Sequence, residues 1–169
     1  MRRLMTTDLD ALVTSLESGP LAERQAAAEK LAQLGSEARR AAVALVEALE
    51  TADGQLREWA AAALEELGPP EAGDVAKLAS LLERSTLDVA YWAATLLGRL
   101  DAKAAPAVPN LAVALAHHPK TAVRERAAWA LGKIGPAANA ARHALTQAAD
   151  SSNRRLASLA RDAISRLES

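Results

Sequence analysis

VRERAAWALGKIG, residues 123–135, decides the fold of this chain, because variants of it return along the whole sequence. LREWAAAALEELG stands at 56–68 and ERQAAAEKLAQLG at 23–35, with fainter copies VAYWAATLLGRLD at 89–101 and LASLARDAISRL at 156–167. Aligned on their last apolar residue, Leu34, Leu67, Leu100, Ile134 and Leu167, the copies lie 33, 33, 34 and 33 residues apart. A fixed period of roughly 20 to 50 residues marks a solenoid, in which each unit buries its apolar face only against its neighbours. The 169 residues hold five such units, at about 4–35, 36–68, 69–101, 102–135 and 136–169, read here as one domain.

Working outward, the phrase itself is helical. At about 100° per residue, Val123, Ala127, Leu131 and Ile134 share one stripe that must face the core. Each phrase follows a second amphipathic segment, at 7–18, 36–51, 72–84, 104–117 and 137–150. Gly35, Gly54, Gly68, Gly135 and the prolines at 20, 69, 70, 119 and 136 punctuate the chain between them. Composition agrees: half the residues are apolar, about a quarter are Ala, Phe is absent and only four residues are aromatic. Ala is the strongest helix former, and its small side chain lets helix axes approach closely. The expectation is an all-α chain of ten helices in five antiparallel pairs.

Composition also narrows function. No apolar run of about 18 residues offers a membrane span, and Asp8 and Asp10 interrupt any secretory apolar region. With no Cys there is no disulfide, thiolate nucleophile or Cys-based metal site, which fits a cytoplasmic protein. Net charge is −1, but residues 1–85 carry −6 and residues 86–169 carry +5. That asymmetry points to solvated faces, an anionic partner at the C-terminal end, or head-to-tail association.

A turn containing Asp, a Val-Arg pair, two alanines and a leucine with Gly nearby resembles the HEAT repeat, in the variant also seen in bilin-lyase-like proteins. Asp53 with Arg57, Asp88 with Val89, and Val123-Arg124 carry the likeness, as do Ala60-Ala61, Ala93-Ala94 and Ala127-Ala128. Ala90 departs from it in the third unit, Lys120 in the fourth and Arg154-Arg155 in the fifth. The resemblance spans the chain and implies a right-handed α-α superhelical solenoid of about five helix pairs. It also implies that the second helix of each pair lines a concave face. The lining then reads Gln25, Glu29 and Gln33; Glu58, Ala62 and Glu66; Tyr91, Thr95 and Arg99; Glu125, Gly132 and Lys133 around Trp129; and Ser158, Asp162 and Arg166.

All four aromatics lie in repeated phrases. Trp59 and Trp92 share a repeat position on the flank of the core stripe, where a large ring fills the seam between units. Tyr91 and Trp129 point away from the core, and an exposed Trp is common at binding hot spots. The alternative role for Trp129 is a lid folded back over the Ala-rich surface. Charge changes sign around the rings, with Glu29, Glu58, Glu65 and Glu66 before them and Arg99, Arg126 and Lys133 after. An aromatic centre with a charged rim is interface anatomy. The expected site therefore has Tyr91, Trp92 and Trp129 as anchors, with Glu58, Thr95, Arg99, Glu125 and Lys133 as rim.

Catalytic patterns are missing from the sequence. His117-His118 reads as a solvated turn, and His143 stands alone beside Arg142. HEAT-type hydroxylases bind metal through His-Glu pairs, and neither His118 nor His143 precedes Glu. No glycine-rich phosphate loop or serine-nucleophile motif appears. The expected function is a non-enzymatic protein-protein interaction or scaffold module, a monomer without cofactor or metal, holding a peptide or helix in its groove. The first rival is a nucleic-acid groove like that of HEAT-like DNA glycosylases. It would use Trp92, Trp129, Arg99, Arg126 and Lys133, with Arg154, Arg155, Arg161 and Arg166 on phosphates. A bilin-lyase-like subunit ranks behind it. The polar last helix, and Thr7 as a cap on the first, suggest finished ends that do not polymerise.

Overall fold

A computed structural model describes residues 2–84 and 86–168 of the chain, with side chains from Asp8 onward. The described residues form ten α-helical segments and four 3₁₀ segments, with no strand. They fall into two compact units, residues 1–71 and 72–169.

In the first unit α1 (Arg2–Ser18) pairs with α2 (Leu21–Leu34), and α3 (Ala42–Ala48) with α4 (Gly54–Glu66). Helix α2 packs along α4, and α1 along α3. In the second unit the pairs are α5 (Val75–Leu81) with α6 (Leu87–Arg99), α7 (Val108–His117) with α8 (Thr121–Ile134), and α9 (Arg142–Ala149) with α10 (Arg154–Leu167). Here α6, α8 and α10 lie side by side as one layer, and α5, α7 and α9 form the other. The expected stripe is the core: Val123, Ala127 and Leu131 are fully buried and Ile134 nearly so. Ala sets the spacing of the layer. Gly132, expected on the outer face, is buried instead: a Cβ there would lie 3.1 Å from the Cα of Ala163, so α8 and α10 touch almost backbone to backbone.

Apart from α1, the segments that precede the repeated phrases are not the uniform α-helices expected from their periodicity. Three of them open with seven residues of 3₁₀ helix, Gly35–Ala41, Asp101–Ala107 and Gly135–Ala141, before the α-helix begins. The reason is visible in small residues three apart: Ala38 and Ala41, Ala104 and Ala107, Ala138 and Ala141 are all buried. With three residues per turn, positions i and i+3 stack on one face, and Ala fits beneath the neighbouring helix. The remaining segment has Asp74 at this repeat position, and its 3₁₀ portion shrinks to Ala72–Asp74.

Entry into these segments needs a residue with positive φ. Gly35, Gly68 and Gly135 supply it at φ 53°, 73° and 71°, and Asp101 holds φ 49° at the matching position. Only Gly adopts that region without steric cost, with Asp among the better substitutes.

The turns before the repeated phrases are built alike. Asp53 Oδ1 accepts from the Leu56 N–H at 2.7 Å, capping α4, and from Gln25 Nε2 at 3.0 Å. Those two hydrogen bonds, Gln25 first, hold the Asp53 carboxyl below its ordinary value of 3.8. Thr51 Oγ1 accepts from the Asp53 N–H. In the last unit Asn153 caps Leu156 and Ser151 Oγ accepts from Asn153 N–H in the same way. His118 occupies the matching place before α8: its Nδ1 accepts from the Lys120 N–H, and its Nε2 lies 3.1 Å from the Arg84 carbonyl. His118 is therefore a buried turn brace and not the solvated residue expected. Arg24 and Arg124 donate to the carbonyls of Leu16 and Leu115 at the end of the preceding helix, so the repeat's arginine is structural. Arg161 does this for Ala149, replacing the displaced pair in the fifth unit. Helix α1 begins at Arg2, so Thr7 lies within it and not at its start, and the Thr7 side chain lies outside the described residues.

Candidate functional site

The outer positions of α6, α8 and α10 converge on one feature. Tyr91 and Trp92, adjacent on α6, are half-buried and meet edge to face, with ring centres 6.0 Å apart. Adjacent helix residues diverge by about 100°, so Tyr91 points along the outer face while Trp92 leans toward its flank. Arg99, two turns on, lies over the Trp92 ring at 5.6 Å.

Arg126 on α8 sits at the centre. Its guanidinium lies 4.5 Å from the Tyr91 ring centre and 5.0 Å from that of Trp129, and its Nη2 donates to the Tyr91 hydroxyl. Arg126 occupies the repeat position that holds Trp in the two preceding copies, Trp59 and Trp92. A cation thus stands where those copies place a ring, and two rings from neighbouring positions attract it through their negative faces.

Trp129 is half-buried and folded across onto α6. A Cβ on Gly98 would come within 2.9 Å of Trp129 Cε3 and closer still to Cζ3, so the ring is seated on bare glycine backbone. The lid arrangement considered for Trp129 describes its placement, while its other side borders a groove of about 210 Å³. Tyr91, Arg126 and Trp129 form one wall of that groove, and Glu125, Arg155 and Leu159 close it from α8 and α10.

The expected rim separates into different roles. Glu125 lines the groove with its side chain only 15% exposed, paired to Arg155 Nε at 3.2 Å. Lys133 bridges to Asp101 at 3.1 Å, away from the groove lining. Thr95 is buried, and its hydroxyl donates to the Tyr91 carbonyl at 2.8 Å within α6, so it presents no rim contact. Glu58 is exposed on α4, in the first unit. The structure therefore brings together Tyr91, Trp92, Trp129, Arg99 and Glu125, and adds Arg126, Arg155 and Leu159. Gly98 is the signal that finds this geometry: a glycine inside a helix costs about 1 kcal/mol and marks a close approach.

Among the described residues no group of three His, Cys, Asp or Glu is placed to hold a metal ion, and no helix is long and apolar enough to cross a membrane. The groove offers ring faces, a held cation and an ion pair. Chemically, such groups can bind and orient a partner group.

No curated protein matches the chain. Solved structures that resemble it are helical-repeat proteins. One is an engineered protein from a structural genomics consortium, 23% identical, covering 95% of this chain and 79% of its own at a TM-score of 0.68. A designed armadillo repeat protein in complex with the peptide (KR)4 is 18% identical, covering 98% of this chain and 84% of its own, with a TM-score of 0.65. A computationally designed armadillo repeat protein for modular peptide recognition is 21% identical, with 94% and 81% covered and a TM-score of 0.62. These likenesses place the chain in the helical-repeat solenoid class. The model of HEAT repeats matches residues 75–165, more than half of the sequence, and by that match the chain belongs to the HEAT-repeat family.

Proposed function

We propose that the chain is a non-enzymatic interaction module that holds a peptide or helix of a partner protein in the groove between α8 and α10. The observation that carries this is the seating of Trp129 on Gly98 with Arg126 between Trp129 and Tyr91. Rings fixed in this way lose little conformational freedom on binding, and preorganised Trp, Tyr and Arg are the residues that dominate interface energies. Two of the structurally similar designed proteins are described as peptide binders, which agrees with the reading. The groove holds about 210 Å³, enough for one or two anchoring side chains and too small for a large ligand.

Panning a random peptide library against the chain tests this reading. Peptides selected on the chain should compete with one another and quench or shift Trp fluorescence. Trp129→Ala should weaken them by about 2 kcal/mol or more, the range of an aromatic hot spot, with helicity retained by circular dichroism. Selected peptides that bind Trp129→Ala and Tyr91→Ala as tightly as the parent would remove the groove from consideration. Single-stranded DNA that binds more tightly than any selected peptide, with steep salt dependence, would move the reading to nucleic acid.

A further inference from the structure

We infer that the groove selects an acidic segment, one that sets an Asp or Glu carboxylate against Arg126 with an apolar neighbour on Trp129 and Leu159. The inference rests on the peptide-binding reading above and specifies the chemistry of the partner.

Three observations lead to it. The unit that contains the groove, residues 72–169, has 13 Lys and Arg against 8 Asp and Glu, a net +5. At the groove itself the one lining anion, Glu125, is already paired with Arg155. Arg126 is left as the uncompensated charge: among the described residues no carboxylate pairs with it, and its contacts are two ring faces and a phenol oxygen.

Ring faces attract a cation without neutralising it. A guanidinium has five N–H donors, and the Tyr91 hydroxyl takes only one direction of them. Arg126 is half-buried beside two aromatic rings, where water screens less than at an open surface. A carboxylate arriving there makes a charge-assisted contact, stronger than a neutral hydrogen bond. The geometry also rejects. A Lys or Arg at the same place meets a fixed like charge in a confined space, so the basic (KR)4 peptide held by the designed armadillo protein is the opposite of what this groove accepts.

The test uses the full chain and the peptides selected from the random library. Asp and Glu should be enriched among them. A selected peptide remade with its Asp and Glu as Asn and Gln should bind about 10- to 100-fold more weakly, the range for losing a charged hydrogen bond. (KR)4 should not compete. Arg126→Gln should weaken the acidic peptide as much as the peptide's own Glu→Gln change, with no further loss when both are combined. Arg126→Glu should transfer selection toward Lys- and Arg-bearing peptides. The peptide-side substitution keeps the test valid if an Arg126 variant folds poorly. Selection of neutral or basic peptides that still depend on Trp129 would overturn the acidic preference and leave the groove reading intact. Selected peptides indifferent to Trp129→Ala would overturn the groove reading itself.

Discussion

Gly98 and Trp129 are two halves of one fitting, contributed by consecutive copies of the repeat. A methyl group on Gly98 has no room while the ring is seated. Gly98→Ala should therefore destabilise the chain by about 1–3 kcal/mol, the cost of overpacking, and shift Trp emission to longer wavelength as the ring moves into water. In a Trp129→Ala background the part due to the ring should vanish, leaving the crowding against the Ala130 Cα at 3.1 Å, offset by the helix propensity that favours Ala over Gly by about 1 kcal/mol. Chemical denaturation of the four proteins in the cycle reads the coupling directly; equal cost in both backgrounds would assign the crowding at Gly98 to the Ala130 backbone and not to the ring. The sequence pointed to Tyr91 and Trp129 because their helical register leaves the core, and to Trp92 as their neighbour on the flank of the core stripe. It did not identify Arg126 as the centre. Register gives the direction of a side chain at its root, whereas Arg126 reaches two rings through a long flexible stem whose end no periodicity specifies. Thr95 failed for the converse reason: its register pointed outward, but a short side chain remains within its own helix and bonds the Tyr91 carbonyl.

Helices and their turns repeat a common plan with interchangeable parts. Thr51, His118 and Ser151 each accept from the N–H two residues on, so a ring nitrogen does at one turn what a hydroxyl does at two others. His118→Ala removes that acceptor and the Arg84 contact, and should cost about 1–2 kcal/mol for the two hydrogen bonds lost. His118→Ser should recover part of it, restoring the local bond and not the contact to Arg84; thermal or urea denaturation distinguishes the two. Asp53 supplies a pH effect at the same kind of turn. Its folded pKa is depressed below 3.8, so its contribution is present above the unfolded value and is lost as pH falls through the folded one. Asp53→Asn keeps a capping oxygen, as Asn153 does, and removes the titration. The variant's stability should then fall less steeply than the parent's as pH drops below about 3.8, measured by urea denaturation at stepped pH. The helix pairs themselves were legible because apolar spacing and Gly-Pro punctuation recur at a fixed interval. The 3₁₀ openings were not, because Ala fits both a 3.6-residue and a 3.0-residue pattern, and burial of Ala three residues apart becomes decisive only once a neighbouring helix is in place.

Charge is distributed between the two units and not merely summed over the chain. Residues 1–71 carry −6 and residues 72–169 carry +5, while the whole molecule carries −1. An approaching peptide responds to the charges within about 10 Å of the groove at 0.1 M salt. If the groove takes an acidic segment, association should be faster than the net charge implies and should slow as salt is added. Contacts within the groove are less screened, so dissociation should change much less. Stopped-flow mixing of the chain with a selected acidic peptide, at ionic strengths on either side of 0.1 M, separates these rates. The expected result is a steep fall in the association rate with a nearly constant dissociation rate. Arg126→Gln should act mainly in the other direction, raising dissociation, because its guanidinium lies within the groove while the surrounding basic residues supply the long-range field. A salt effect confined to dissociation would assign recognition to Arg126 alone and give the charge of residues 72–169 no part in drawing the partner in.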